Sequence, residues 1–159
     1  MISERPAFIE GEHFRINRKA PVWWRYTTLR TTRIKLDVQS TETISFRDRH
    51  GIEWMRLSPT ICGKTLMTIR EGYSWNGATC APDLDLFLET LFHDIGLQFI
   101  KTQHFPFSKR EWDAGFLDLM KLVRFKLKYI YWQAVRKFGW LFLGHNGEWS
   151  KVLTTHKLP

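Results

Sequence analysis

The segment "PDLDLFLETLFHDIGLQFI", residues 82 to 100, is where the hydrophobic pattern of the chain becomes helical. Its apolar residues recur at the spacing of one helix face: Leu84, Phe87, Leu88, Leu91 and Ile95. Pro82 suits the first turn of a helix, and Asp83 and Asp85 suit its positive end. The segment therefore predicts a helix, and it marks the boundary between two halves of different structure.

The half before this boundary has the pattern of β-strands from about residue 31 to 75. In "TRIKLDVQ", residues 32 to 39, apolar and polar side chains alternate as they do in a half-buried strand. "TISFRDRHGIEWMRL", residues 43 to 57, predicts a hairpin with "DRHG" as its turn. "KTLMTIREGYSW", residues 64 to 75, predicts a further strand. We expect an antiparallel β-meander with one polar face.

The half after the boundary is predicted to be mainly helical over about residues 82 to 143. Ser108 and Glu111 have the spacing of a capping box, and the helix they begin runs through "WDAGFLDLMKLV". A third, basic helix is predicted over "FKLKYIYWQAVRKF", residues 125 to 138, before Gly139 or Gly144. The predicted fold class is α+β, in which the N-terminal meander packs on a C-terminal helical hairpin plus the third helix.

Length and composition favour one globular domain over residues 1 to 159. Hydrophobic residues make up 43% of the chain and charged residues 25%. The net charge of +8 favours acidic partners, which include nucleic acid, anionic lipid and negative protein surfaces. Two cysteines, Cys62 and Cys80, cannot form a disulfide framework, so either a reducing compartment is expected or the thiols are incidental.

Two segments bear on localisation. The start, "MISERPAFIEGEH", carries charges and no long apolar stretch, so no secretory signal peptide is expected. The most apolar segment, "YIYWQAVRKFGWLFLG", is interrupted by Arg136 and Lys137, so no transmembrane segment is expected.

Asp113 stands out because it opens an otherwise apolar helix face. It falls at i, i+3, i+4 and i+7 spacing with Phe116, Leu117 and Met120. An unpaired buried carboxylate costs at least several kcal/mol, so Asp113 needs a partner. Packing of the two helices as an antiparallel pair would bring it toward His93, which lies nearly opposite the main apolar stripe of its own helix.

A paired His93 and Asp113 have two interpretations. In the first, the carboxylate fixes the tautomer of the imidazole and raises its basicity, so that the other ring nitrogen can deprotonate water. Asp94 could then hold a hard cation such as Ca²⁺. In the second, the pair is a buried hydrogen bond that ties two helices together, and Asp94 is an ordinary residue at the helix edge.

Four segments resemble an uncharacterised phage and prophage family, domain-of-unknown-function family 1353. They are "GYSWNGATCAPD", "LFHDIGL", "SKREWDAGFLDLM" and "WQAVRKFGW", and they cover residues 72 to 140 in the family's order. The resemblance implies a phage-encoded protein located in the virion or the host cytoplasm. It implies other virion proteins, or an anionic lipid or envelope surface, as partners.

The two central helices of that family are similar to those of bacterial secreted phospholipase A-two enzymes. Carried over by position, the similarity implies that His93 is the general base, that Asp94 binds calcium and that Asp113 orients the imidazole. Asn76 stands where the family's Gly-rich turn has an Asp, and it would be a weaker metal ligand. Leu97 stands where a Tyr is usual, so one support of the orienting network is replaced.

The resemblance thus implies a calcium-assisted hydrolase of a lipid or envelope ester, associated with the virion or host envelope. The alternative is a non-catalytic tail or virion component that keeps the His93–Asp113 pair as a structural tie.

The most one-sided charge lies between residues 121 and 137. Its cations, with no acid among them, are Lys121, Arg124, Lys126, Lys128, Arg136 and Lys137. On a continuous helix Lys121, Arg124 and Lys128 would share one side, next to rings such as Trp132. These four residues are predicted to contact a partner protein or an anionic surface, mainly through the rings. Nucleic acid is a less favoured partner, and a merely solvent-exposed face is the alternative.

Overall fold

The computed structural model describes residues 1–18, 25–48, 50–77, 86–100 and 105–139. The strands among these residues are β1 Phe14–Ile16, β2 Tyr26–Thr28, β3 Thr32–Leu36, β4 Ile44–Arg47, β5 Glu53–Pro59, β6 Thr65–Ile69 and β7 Ser74–Trp75. The helices are α1 Phe87–Phe99, α2 Lys109–Leu122 and α3 Lys128–Phe138. The predicted α+β class, with strands first and helices after, is confirmed.

The strands form two antiparallel sheets, with the orders β1-β2-β7 and β3-β6-β5-β4. The prediction of a simple meander is therefore wrong for β3, which lies beside β6 in a Greek-key order. β3 pairs with β6 over five residues. β4, at the other edge of the sheet, pairs with β5 over four residues, with a register shift at Phe46/Arg47. β1 and β2 precede the predicted sheet. They are three residues long, too short for an alternating pattern to be recognised.

The predicted alternation and hairpin turn are both present in the larger sheet. In β3 buried and exposed side chains alternate, and Ile34 faces Met67 across the strand pair. At the hairpin turn the Asp48 carboxylate accepts hydrogen bonds from the backbone N–H groups of His50 and Ile52. Its second oxygen accepts from the indole of Trp54 at 3.0 Å. One carboxylate thus fixes the turn that sets the register of β4 and β5.

α1 lies between the sheets and the other helices, because it is apolar on two faces. On the sheet side, its Phe87 ring lies 4.6 Å from that of Phe14 in β1. On the other side, Phe92 stacks on Trp112 of α2 with ring centroids 4.1 Å apart. α1 begins at Phe87, after the predicted start. The proposed N-terminal residues Pro82, Asp83 and Asp85 lie outside the described residues.

α2 packs antiparallel to α1, as predicted. The Ser108–Glu111 capping box is present at its start. Gly96 of α1 lies against Trp112 near the start of α2, whereas Phe92, one turn earlier in α1, reaches Gly115. A Cβ atom at Gly96 would overlap the Trp112 indole. The Trp112 indole also donates to the backbone oxygen of Phe92 at 3.1 Å. Glycine therefore permits the close approach of the two helices.

α2 and α3 are separate helices rather than one continuous helix. Arg124 has φ +54°, a left-handed conformation that ends α2. The backbone N–H groups of Arg124 and Phe125 donate to the oxygens of Lys121 and Met120, which is the Schellman pattern of helix termination. α3 then begins at Lys128 and ends with Gly139 as its C-cap. The second and third helices are therefore separate, as predicted, and the shared side that a continuous helix would give Lys121, Arg124 and Lys128 does not form.

We predict that Gly96→Ala destabilises the protein although alanine is the better helix former. Intrinsic propensity alone would stabilise α1 by about 1 kcal/mol. The overlap with Trp112 outweighs this gain, because overpacking costs about 1–3 kcal/mol. The midpoint of thermal unfolding should fall. Gln133→Ala on the exposed side of α3 is the control and should leave it nearly unchanged. A raised midpoint for Gly96→Ala would contradict the close contact.

Candidate active site

His93 and Asp113 form a buried pair between α1 and α2. The Nε2 atom of His93 lies 3.1 Å from Oδ1 of Asp113. The side chain of His93 is 6% exposed and that of Asp113 is 2% exposed. The predicted proximity of the two side chains is confirmed, whereas their catalytic role remains a prediction. An imidazole that donates from Nε2 keeps its acceptor lone pair on Nδ1.

Lys109 is a second partner of Asp113, and sequence analysis missed it. Its Nζ atom lies 2.6 Å from Oδ2 of Asp113. The same ammonium donates to the backbone oxygen of Val135 in α3 at 3.0 Å. Both oxygens of Asp113 are therefore bound, and the cluster joins all three helices. The i,i+4 spacing of Lys109 and Asp113 on one helix was a signal that could have revealed this pair.

Asp94 lies beside His93 but faces the turn after β7. Its Oδ1 atom is 3.9 Å from Nδ1 of His93, too far for a direct hydrogen bond. The backbone N–H groups of Asn76 and Gly77 donate to its carboxylate. Gly77 has φ +80°, which glycine adopts without steric strain. The turn after β7 thus meets α1, and Asn76 contacts Asp94 through its backbone N–H.

The second carboxylate oxygen of Asp94 is the atom that suits a cation. Oδ2 is buried, and none of the residues that the structure describes gives it a hydrogen bond. An anionic oxygen in that position is stabilised by a hard cation such as Ca²⁺. Within the described ranges there is no cluster of three or more His, Cys, Asp or Glu side chains able to hold a metal. Calcium binding by Asp94 therefore remains a prediction, as does a role for the Asn76 side chain.

The charges of the cluster favour an ionised His93–Asp113 pair. Burial disfavours protonated His93, but the carboxylates of Asp113 and Asp94 outweigh it and raise the pKa of His93 above 6.5. Burial likewise disfavours ionised Asp113, yet hydrogen bonds from His93 and Lys109 lower the pKa of Asp113 below 3.8. Burial raises the pKa of the Asp94 carboxyl, because its effect is larger than the opposite effect of His93 and of the backbone N–H groups of Asn76 and Gly77.

Tyr73 lies within the electrostatic influence of Asp94, and Leu97 follows His93 by one turn of α1. The hydroxyl of Tyr73 donates to Oε1 of Gln98 at 2.9 Å. Burial, with the negative charge of Asp94, raises the pKa of Tyr73 well above 10, so this hydroxyl keeps its proton. Leu97 is buried where the resembled family has a Tyr. Lys109 rather than a tyrosine supports the second oxygen of Asp113 in this chain.

A second buried ion pair lies one turn before His93 on α1. Glu89 is fully buried, and its Oε1 atom lies 2.7 Å from Nε of Arg5. Sequence analysis did not predict this pair, because its members are far apart in the chain. It fixes the segment before β1 against the helix that carries the candidate site.

The predicted surface residues do not form one cluster of equally exposed side chains. Lys121 and Arg124 are exposed, whereas Lys128 and Trp132 are half-buried. The guanidinium carbon of Arg136 lies 4.8 Å from the centre of the Trp132 ring. The indole N–H of Trp132 is buried and has no hydrogen-bond partner within the described part of the chain. Trp132 therefore packs mainly within the protein, and contact with a partner remains a prediction.

Comparisons with protein-family models, with curated proteins and with solved structures found no match to this chain. The relation to domain-of-unknown-function family 1353 and to phospholipase A-two thus remains a prediction from the sequence. Among the described residues, none of the helices combines the length and the apolar character needed to cross a bilayer.

We predict that the stabilising effect of His93 depends on pH in a defined window. The raised pKa of His93 gives stability below pH 6.5 that is lost as the pH rises through its folded pKa. The lowered pKa of Asp113 gives stability above pH 3.8 that is lost as the pH falls through its folded pKa. Both contributions are present between these values.

Urea unfolding of wild type and His93→Asn across this pH range measures the effect. The difference in the free energy of unfolding should be largest inside the window, at about 3 kcal/mol or more for a broken buried pair. His50→Asn, at an exposed histidine, is the control and should give a small difference. A His93→Asn difference that grows above pH 6.5 would contradict the raised pKa.

Proposed function

We propose that this protein is an ester hydrolase in which His93 is the general base and Asp113 is a positioning residue. One observation carries the proposal: Nε2 of His93 faces a buried carboxylate at 3.1 Å. That arrangement assigns the proton to Nε2 and the lone pair to Nδ1. Asp94 follows directly in the chain, so the proposed base and the proposed calcium ligand lie together at one end of the Asn76–Gly77 turn.

In the proposed reaction, Nδ1 of His93 accepts a proton from a water molecule as that water attacks the ester carbonyl. The resulting imidazolium is stabilised by Asp113 on one side and by the charge of Asp94 on the other. Imidazolium then returns its proton to the leaving alcohol, so that one water and one ester give an acid and an alcohol.

Calcium is part of the proposal through Asp94. Its Oδ2, which has no partner among the described residues, would hold the ion, and bound calcium would polarise the substrate carbonyl. Asp94 then serves as ligand, while His93 and Asp113 keep the roles given above. The substrate class that we propose, from the sequence resemblance, is an ester of a lipid or envelope component, and the proposed setting is a phage particle or the host envelope.

We predict that His93→Asn abolishes hydrolysis of phosphatidylglycerol vesicles and that Asp113→Asn lowers kcat by about 10²-fold or more. The rate should rise with pH as His93 loses its proton, with a midpoint above 6.5 because its pKa is raised. Release of fatty acid, with calcium and with a chelator, is the measurement. His50→Asn is the matched control and should keep the wild-type rate.

A second candidate is a non-catalytic component of a phage particle in which the cluster is a structural tie. The observation in its favour is that both oxygens of Asp113 are bound and that the His93 side chain is only 6% exposed. The same assay separates the candidates. Wild-type hydrolysis at the background rate, together with a lowered unfolding midpoint for Asp113→Asn, would overturn the hydrolase proposal and support the tie.

A further inference from the structure

α3 presents an apolar row to the outside of the protein. Its inner side packs through Tyr131, with Trp132 and Val135 partly buried against the core. The outward residues Ile130, Ala134 and Phe138 follow at i, i+4 and i+8, and Leu127 precedes them as the N-cap residue. We call Leu127, Ile130, Ala134 and Phe138 the apolar row.

The apolar row is far more exposed than large apolar side chains in a protein core. Ile130 is 66% exposed, Phe138 is 58% exposed and Leu127 is 42% exposed. Leu122 and Val123, at the end of α2, are also exposed. Single exposed apolar residues are ordinary, but a row at helical spacing on one face indicates a surface that is covered in use.

The charges around the row determine what can cover it. Residues 121 to 139 contain six cations and no acid. Lys137 adjoins Ile130 on the helix surface, and Lys126 precedes the N-cap. A second copy of the chain would bring the same cations together, which is unfavourable. Nucleic acid would leave the apolar row without apolar contacts, because proteins bind it largely through phosphates and base edges.

We propose that the apolar row docks on an anionic lipid bilayer. A helix with apolar residues on one side and Lys or Arg beside them suits the boundary between headgroups and acyl chains. The left-handed turn at Arg124 makes α3 a separate element from α2. In this arrangement Ile130 and Phe138 enter the acyl boundary, while Lys126 and Lys137 bind anionic headgroups. The proposal does not depend on catalysis by His93.

Flotation with vesicles tests the proposal. The full chain should bind vesicles made of equal parts phosphatidylcholine and phosphatidylglycerol, and it should bind pure phosphatidylcholine less. Ile130→Ser and Phe138→Ser should each lower the bound-to-free ratio about tenfold. Lys126→Ala and Lys137→Ala should each lower it about fivefold on anionic vesicles, because a cation near such a surface contributes about 1 kcal/mol.

Two control variants make the test specific. The first is Ile61→Ser, because Ile61 is a fully exposed apolar residue at the β5–β6 turn. This variant should bind vesicles as the wild type does. His93→Asn should also retain binding, so failure of the hydrolase proposal leaves this one standing. Thermal unfolding confirms that each variant is folded.

Three kinds of result would contradict docking of the apolar row on lipid. No flotation of the wild type, or flotation unchanged in the Ile130→Ser/Phe138→Ser double variant, would refute lipid docking. Binding to DNA that exceeds binding to anionic vesicles would identify a nucleic-acid surface instead. Loss of a wild-type dimer in the double variant, without any lipid binding, would identify an interface between copies.

Discussion

The buried negative charge of Asp113 is the constraint on which the arrangement of the helices depends. A carboxylate that is 2% exposed must find cations or hydrogen-bond donors inside the protein. His93 from α1 meets one oxygen and Lys109 from α2 meets the other, and Lys109 also binds a backbone oxygen of α3. The three helices therefore share one electrostatic centre, whose partners fix their relative positions.

This centre can form because the helix backbones approach closely. Gly96 admits the Trp112 indole to the surface of α1, and Phe92 stacks on the same indole. The opposite face of α1 packs on aromatic residues of both sheets. His93 thus lies in the middle layer of the protein, where water is largely excluded and its interaction with Asp113 is strengthened. The burial that stabilises the pair also limits the access of a substrate. The hydrolase requires a substrate to reach His93, whereas the structural tie does not.

The sequence was informative where a physical rule acts over short distances. Helical periodicity predicted α1 and α2, and the Ser108–Glu111 spacing located the start of α2. The cost of an unpaired carboxylate led from Asp113 to His93. The same rule did not reveal Lys109, because a lysine near the start of a helix is also expected to face solvent. The strand order was missed because the pairing of β3 with β6 depends on contacts between distant residues. The separation of the second and third helices was predicted, whereas the left-handed conformation of Arg124 was not, because a non-glycine residue in that conformation gives no sequence signal.

Asp113 holds the imidazole of His93 with its proton on Nε2 and raises its pKa. Nitrogen NMR of labelled histidine across a pH titration tests both effects, since it reports the tautomer and the pKa of the same ring. We expect an Nε2–H tautomer with a pKa above 6.5 in the wild type and a lower pKa in Asp113→Asn. An Nδ1–H tautomer, or a pKa of His93 that is unchanged by Asp113→Asn, would contradict it.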